Sequence, residues 1–254
     1  MNGNNRDTPG REISGAAGLL DRSALNIPEL PATVRGKNPV SAKRDNLLPR
    51  DSVLVVKRDG IHHVITEGYF YKTDAYYTIL DHELKGIPVE PSSNSVLDAY
   101  IVPVCLERAS LAGIPVCEWG ISHSFIPTPA IIYGINYFAT TAEYSIVIDP
   151  ISSKSVIKHI TNNGKYPFCF QKLPEGADIV TCISVFGKTL NDCPGAGQVA
   201  AKVYSLFRIP LVSIVLVRAG GDLLLSALAP VRFSKLSEGE RSLLTAYLAN
   251  QEFL

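Results

Sequence analysis

The 254-residue sequence predicts an α/β domain: a mostly parallel sheet flanked by helices, with a C-terminal antiparallel hairpin and a final helix. Three observations lead there. Gly-Ile-Pro-Val occurs at 86–89 and again at 113–116, each time after a helical stretch, so two helix–glycine–strand units follow one another. Short runs rich in Val and Ile alternate with amphipathic segments. Near the C-terminus, Gly220-Gly221 separates two apolar runs, as a hairpin turn does.

The elements follow in order from residue 51. Ser52–Lys57 reads as a strand and Arg58-Asp59-Gly60 as a turn. Thr73 or Asp74 can cap a helix running to Leu84, stopped by Gly86. A second helix spans Ser95–Leu111, with Pro103 predicting a kink or a late start, and Gly113 stops it. Residues 118–142 read as irregular. Tyr144–Ile148 is a strand, Ser152 or Ser153 caps a helix to Ile160, and Asn162-Asn163-Gly164 is a turn. Pro167–Gln171, Ile179–Phe186, Leu211–Val217 and Leu223–Leu228 are strands, and Gln198–Phe207 is an amphipathic helix. Ser237-Glu238-Gly239-Glu240 is a capping box opening the last helix, which runs to Asn250.

Residues 1–50 differ in kind. They are rich in Asn, Gly, Pro, Ser and Arg, show no sustained period and carry a net charge of +3. Such a segment buries too little apolar surface to offset its ordering entropy, so a disordered tail is expected, with a short helix over Gly15–Arg22 on a partner. Residues 51–254 are then a single α/β domain.

Basic and acidic residues balance at 24 each, which argues against nucleic acid as a partner. No apolar run approaches the roughly 20 residues of a membrane span. Five cysteines without an N-terminal signal segment point to a reducing cytoplasm. Cys105, Cys169 and Cys182 lie in apolar runs and read as buried, whereas Cys117 and Cys193 sit by turns and read as reachable. Neither the cysteines nor His62, His63, His82, His123 and His159 show metal-ligand spacing, so no metal and no cofactor is expected.

Two phosphate-loop look-alikes fail on context. Gly187-Lys188-Thr189 lacks the earlier glycine, Cys182 standing in its place. Gly195-Ala196-Gly197-Gln198-Val199-Ala200 fits a dinucleotide fingerprint but lies too far from the preceding strand, and no acidic residue follows at the required distance. The densest chemical stretch is Glu67–Tyr77, with four tyrosines, Phe70 and Lys72 ahead of a helix N-terminus. It reads two ways. Tyr69, Tyr71 and Lys72 can line a site for a small anion, with Asn162, Asn163 and Lys165 as further candidates. Alternatively, the rings form a packing layer with hydroxyls at its rim.

The stretch Glu67–Ser92 (EGYFYKTDAYYTILDHELKGIPVEPS) resembles the N-terminal domain of RimK-like ATP-grasp proteins. Val185-Phe186-Gly187-Lys188-Thr189, Ala200–Leu211 (AAKVYSLFRIPL), the Gly-Gly hairpin with Ala-Pro-Val, and Leu236–Arg241 resemble the second half of that domain in the same order. The likeness covers about residues 52–250. In that family the domain precedes a catalytic half that joins a carboxylate to an amine using ATP and magnesium; the chain ends at Leu254, and no catalytic residue carries over. The resemblance therefore implies a non-catalytic accessory module that works with a separate ATP-grasp ligase by docking or presenting substrate. The alternative expectation is an enzyme or sensor for a small anionic ligand bound at 67–77.

Overall fold

A computed structural model describes residues 52–136, 139–190 and 193–249, and the backbone of 252–253. The tail at 1–50, its short helix and the end of the last helix at Asn250 lie outside the described residues.

The chain builds three sheets. The first takes the order β11-β1-β2-β3, from β1 (Leu54–Arg58), β2 (Ile61–Ile65), β3 (Val89–Glu90) and β11 (Glu252–Phe253). Asp59 and Gly60 close the β1–β2 hairpin at φ of 51° and 81°, a left-handed pair that aspartate and glycine tolerate best. Helix α1 (Asp74–Leu84) is capped by Thr73, whose Oγ1 accepts from the Tyr76 amide. The chain then returns as β3, parallel to β2.

Residues 93–111 form two helices rather than one. Helix α2 (Ser93–Tyr100) ends at Ile101, and α3 (Val102–Leu111) begins there with Pro103 in its first turn. Proline suits a first turn, where its missing N–H leaves no bond unmade, so the chain breaks ahead of it. Glu83 braces this corner, accepting from the Ser93 amide at 2.8 Å and its hydroxyl at 2.6 Å.

The second sheet is antiparallel, in the order β4-β7-β5-β6, from β4 (Trp119–Ser122), β5 (Ala130–Gly134), β6 (Tyr144–Val147) and β7 (Phe168–Lys172). Helix α4 (Pro150–Ile160) covers one face, where Val156, Ile157 and Ile160 pack on Ile132, Val147 and Phe168. Strand β6 is one edge of this sheet and β4 the other; on β6 Ile146 is 48% exposed and Ile148, just beyond it, 74% exposed.

The third sheet is also antiparallel, in the order β10-β9-β8, from β8 (Asp178–Val185), β9 (Leu211–Ala219) and β10 (Asp222–Ala229), with α5 (Ala196–Phe207) between β8 and β9. Helix α6 (Glu238–Leu248) follows, and its Ser237–Glu240 capping box is formed on both arms.

The expected mostly parallel sheet is therefore wrong. The second and third sheets are antiparallel throughout, and β2–β3 is the one parallel strand pairing among the described residues. The repeated Gly-Ile-Pro-Val misleads because proline donates no ladder hydrogen bond. After Gly86 it yields a two-residue strand; after Gly113 it yields a single bridge, Val116 to Leu225, with the Leu225 amide on the Pro115 carbonyl at 2.8 Å. Residues 118–142, read as irregular, hold β4 and the buried strand β5.

The third sheet is covered on both sides. Ile214, Leu216, Leu225 and Leu228 face the helices, packing with Ala99, Cys105, Ala109, Val203 and Phe207. Val215 and Ala227 face the second sheet at Ile131, Tyr133 and Cys169. A small polar network crosses that seam. The Tyr133 and Ser226 hydroxyls share a hydrogen bond at 2.8 Å, and Gln171 Nε2 donates to the Ser226 carbonyl at 2.9 Å. All three side chains are at most 1% exposed.

Two outcomes follow. Tyr133→Phe leaves the Ser226 hydroxyl without its buried partner and should cost about 1–3 kcal/mol, read as a lower urea midpoint at unchanged slope. Burial raises the thiols of Cys105 and Cys169 to about 12 and those of Cys117 and Cys182 to about 11. Cys117 is thus buried, against expectation, behind the turn that was to expose it. At pH 8 the native chain should lose one thiol quickly to a thiol reagent, Cys193, and the other four only on denaturation.

Candidate functional site

The exit of β2, the entry to α1, the segment before β6 and the segment after β10 meet around a cavity of about 640 Å³. Glu67 ties two of these together: its carbonyl accepts from the Val231 amide at 3.0 Å, and its Oε1 from the Phe233 amide at 2.7 Å. Beyond Gly68 the chain turns into α1, and Thr73 fixes the turn by donating to the Phe70 carbonyl at 2.7 Å. The turn requires Lys72 to stand at φ 68°, in the left-handed region, where a non-glycine side chain is strained. Strained backbone of this kind gathers where a side chain must be aimed.

The lining carries both signs of charge. Lys72 and Arg232 contribute the cations; Glu67, Asp74 and Glu143 contribute carboxylates, one oxygen of Glu67 being already engaged. An anion alone would meet these carboxylates as well as the cations. A ligand bearing both a carboxylate and an ammonium meets complementary charge at both ends.

A second cavity of about 390 Å³ shares Thr140 and Glu143 with the first. Asn162, at φ 50°, lines it together with His159, Tyr166, Asn136 and Ser145. The turn that carries Asn162 is the end of α4: Thr161 Oγ1 accepts from the Gly164 amide at 2.7 Å, and the Asn163 amide donates to the Lys158 carbonyl at 2.8 Å.

The six sequence candidates thus separate. Lys72 and Asn162 line neighbouring cavities; Asn163 and Lys165 stand outside both linings. Tyr71 is 53% exposed, and its ring lies 5.5 Å from Lys72 Nζ, outside the lining. Tyr69 is fully buried in the main core, where its hydroxyl donates to the Val64 carbonyl at 2.9 Å and burial raises its pKa well above the usual tyrosine value. Arg232, Thr140 and Glu143 went unnoticed in the sequence. Arg232 is a single charge after the hairpin, and the other two fall in a stretch without period. No local signal marks them, because the contacts that gather them are long-range.

Among the described residues no three His, Cys, Asp or Glu side chains converge as a metal set, and no helix is long and apolar enough to cross a membrane.

No protein-family model matches the chain, and no curated protein does. Among solved structures it is similar to a RimK domain ATP-grasp protein from Sphaerobacter thermophilus, at 13% identity and TM-score 0.49, over 63% of this chain and 69% of that one. It is similar to D-alanine–D-alanine ligase from Bacillus anthracis, at 12% identity and TM-score 0.48, over 60% and 64%. It is also similar to the ATP-grasp ligase PsnB complexed with minimal precursor, Mg and ADP, at 16% identity and TM-score 0.48, over 69% and 66%. The chain thus spans 64–69% of the length of these proteins. At such identities and scores these likenesses bring no residue role and no activity to this chain.

Lys72→Gly should relieve the left-handed strain and raise unfolding stability by about 1 kcal/mol. Lys72→Met, which keeps the strain and loses the charge, should give no such gain. Urea denaturation of the two variants separates strain from charge.

Proposed function

We propose that this chain is a non-catalytic accessory module of an ATP-grasp-type carboxylate–amine ligase system. It holds a small molecule bearing a carboxylate and an amine in the Lys72–Arg232 groove and presents it to a separate ligase. The observation that carries the reading is the groove: a cavity of about 640 Å³ in which Lys72 and Arg232 stand with Glu143. The cations receive the carboxylate end, and Glu143 receives the ammonium end. The link to ATP-grasp ligases rests on the sequence resemblance of 67–92 and 185–241 to the N-terminal domain of RimK-like proteins.

The test is calorimetry on the full chain with free amino acids, dipeptides and simple carboxylates. Zwitterions should bind, and Lys72→Ala or Arg232→Ala should weaken them by about tenfold, the factor that 1.4 kcal/mol represents. Simple carboxylates should bind more weakly than the matching zwitterions. An absence of binding in every class would overturn the groove. Turnover of a bound ligand by the purified chain alone would replace the accessory role with an enzymatic one. A failure to associate with any ATP-grasp ligase of its own cell would remove the presenting role.

A further inference from the structure

Away from both cavities, a second group of side chains gathers around Phe186, at the end of β8. Phe186 stands at φ 48°, an outlier for so bulky a residue, and its amide donates to the Pro210 carbonyl at 2.7 Å. Its ring stacks on Tyr247 of α6, with centroids 4.5 Å apart and 15° between planes, and meets Tyr204 of α5 at 6.0 Å. Gly187 continues the turn so close to Tyr204 that a Cβ there would lie 2.8 Å from the tyrosine's own Cβ. Arg208, which ends α5, is a second left-handed non-glycine residue at φ 55°. Phe186 alone strains this turn, while Arg208 closes the C-terminus of α5 beside it, its amide donating to the Tyr204 carbonyl at 2.8 Å.

Three cations converge on the aromatic group. Lys188 Nζ lies 5.3 Å and the Arg58 guanidinium 5.6 Å from the Tyr247 ring centre; the Arg208 guanidinium lies 5.7 Å from that of Tyr204. Their compensation is weak. Arg58 meets the exposed Asp59 at 3.5 Å, Arg208 meets Glu90 at 3.9 Å, and no carboxylate among the described residues lies within 4.0 Å of Lys188. Cation–π attraction holds the three side chains against the rings but leaves their charge open to an anion.

We propose that this patch is a binding site for a phosphate monoester carried on a planar ring. The phosphate sits among Arg58, Lys188 and Arg208, and the ring lies against the half-exposed Tyr204 and Tyr247. Guanidinium forks match phosphate oxygens in pairs, and tyrosine edges and faces accept a flat partner.

A reporter is built in beside the patch. His63 of β2 is 7% exposed, with its ring 5.7 Å from that of Phe186. Burial lowers its pKa first; Glu90, 3.6 Å from Nδ1, and Asp59 raise it, while Arg58 and Arg208 lower it. An anion that offsets the two arginines must therefore raise the His63 pKa.

The test is an NMR titration of the full, isotope-labelled chain with phenyl phosphate, inorganic phosphate and phenol. Phenyl phosphate should give saturating shifts at the Gly187 and Lys188 amides and raise the His63 pKa. Inorganic phosphate and phenol should each bind about tenfold or more weakly, and Lys188→Gln with Arg58→Gln should cost about tenfold at unchanged thermal stability. A lack of saturation, equal affinity for inorganic phosphate, or indifference to both substitutions would overturn the site. Adenosine monophosphate and O-phosphotyrosine form the last two arms: the tighter binder tells whether the ring belongs to a nucleotide or to a phosphorylated protein.

Discussion

Strand β9 is covered on both faces, and the other layers take their places from it. Its even-numbered residues Ile214 and Leu216 enter the helical core, while Val215 enters the seam with the second sheet. A strand buried on both sides must find all its backbone partners in its neighbours, and β8 and β10 supply them along its length. Apolar burial here is large but unselective about alignment. The bonds from Tyr133 and Gln171 to Ser226 supply the selectivity: a slip of one residue would orphan buried polar groups, at a cost apolar contacts would not impose.

What the sequence made legible was local chemistry. The Thr73 cap, the Ser237–Glu240 box, the Asp59-Gly60 and Gly220-Gly221 turns and the glycine stops after α1 and α3 are properties of a few adjacent residues, and each appears where its chemistry puts it. Strand direction is not such a property. Whether β3 or Val116 pairs parallel, and with which strand, depends on residues far along the chain, and two identical tetrapeptides have different fates. β5 escaped notice because a short apolar run between prolines and a glycine looks like a loop until α4 and the second sheet bury it.

The same division holds at the groove. Lys72 was visible because it precedes a helix in a dense polar segment. Tyr69, two residues away from Tyr71, belongs to the core, and no spacing rule distinguishes a ring with its hydroxyl on a carbonyl from one at the rim. The groove and the Phe186 patch share one trait that sequence could not show. Each has a non-glycine residue in left-handed backbone that neither side-chain type nor a helix end explains, Lys72 at the cavity and Phe186 at the patch. Such conformations are costly locally and persist only where surrounding packing enforces them.

The open side of β6 bears on how this protein behaves in concentrated solution. Its outer row of amide and carbonyl groups is unpaired within the second sheet, and isoleucines at 146 and 148 stand beside it. Many proteins guard such a margin with lysine, proline or a bulge. Here the run Tyr144–Ile148 carries no charge at all, and protection falls to the flanking acids Glu143 and Asp149. High salt screens those two carboxylates and weakens the local repulsion between copies while leaving the sticky margin intact. Colloidal behaviour and folding stability can therefore part company in this molecule: a sample can cloud while every chain in it is still folded.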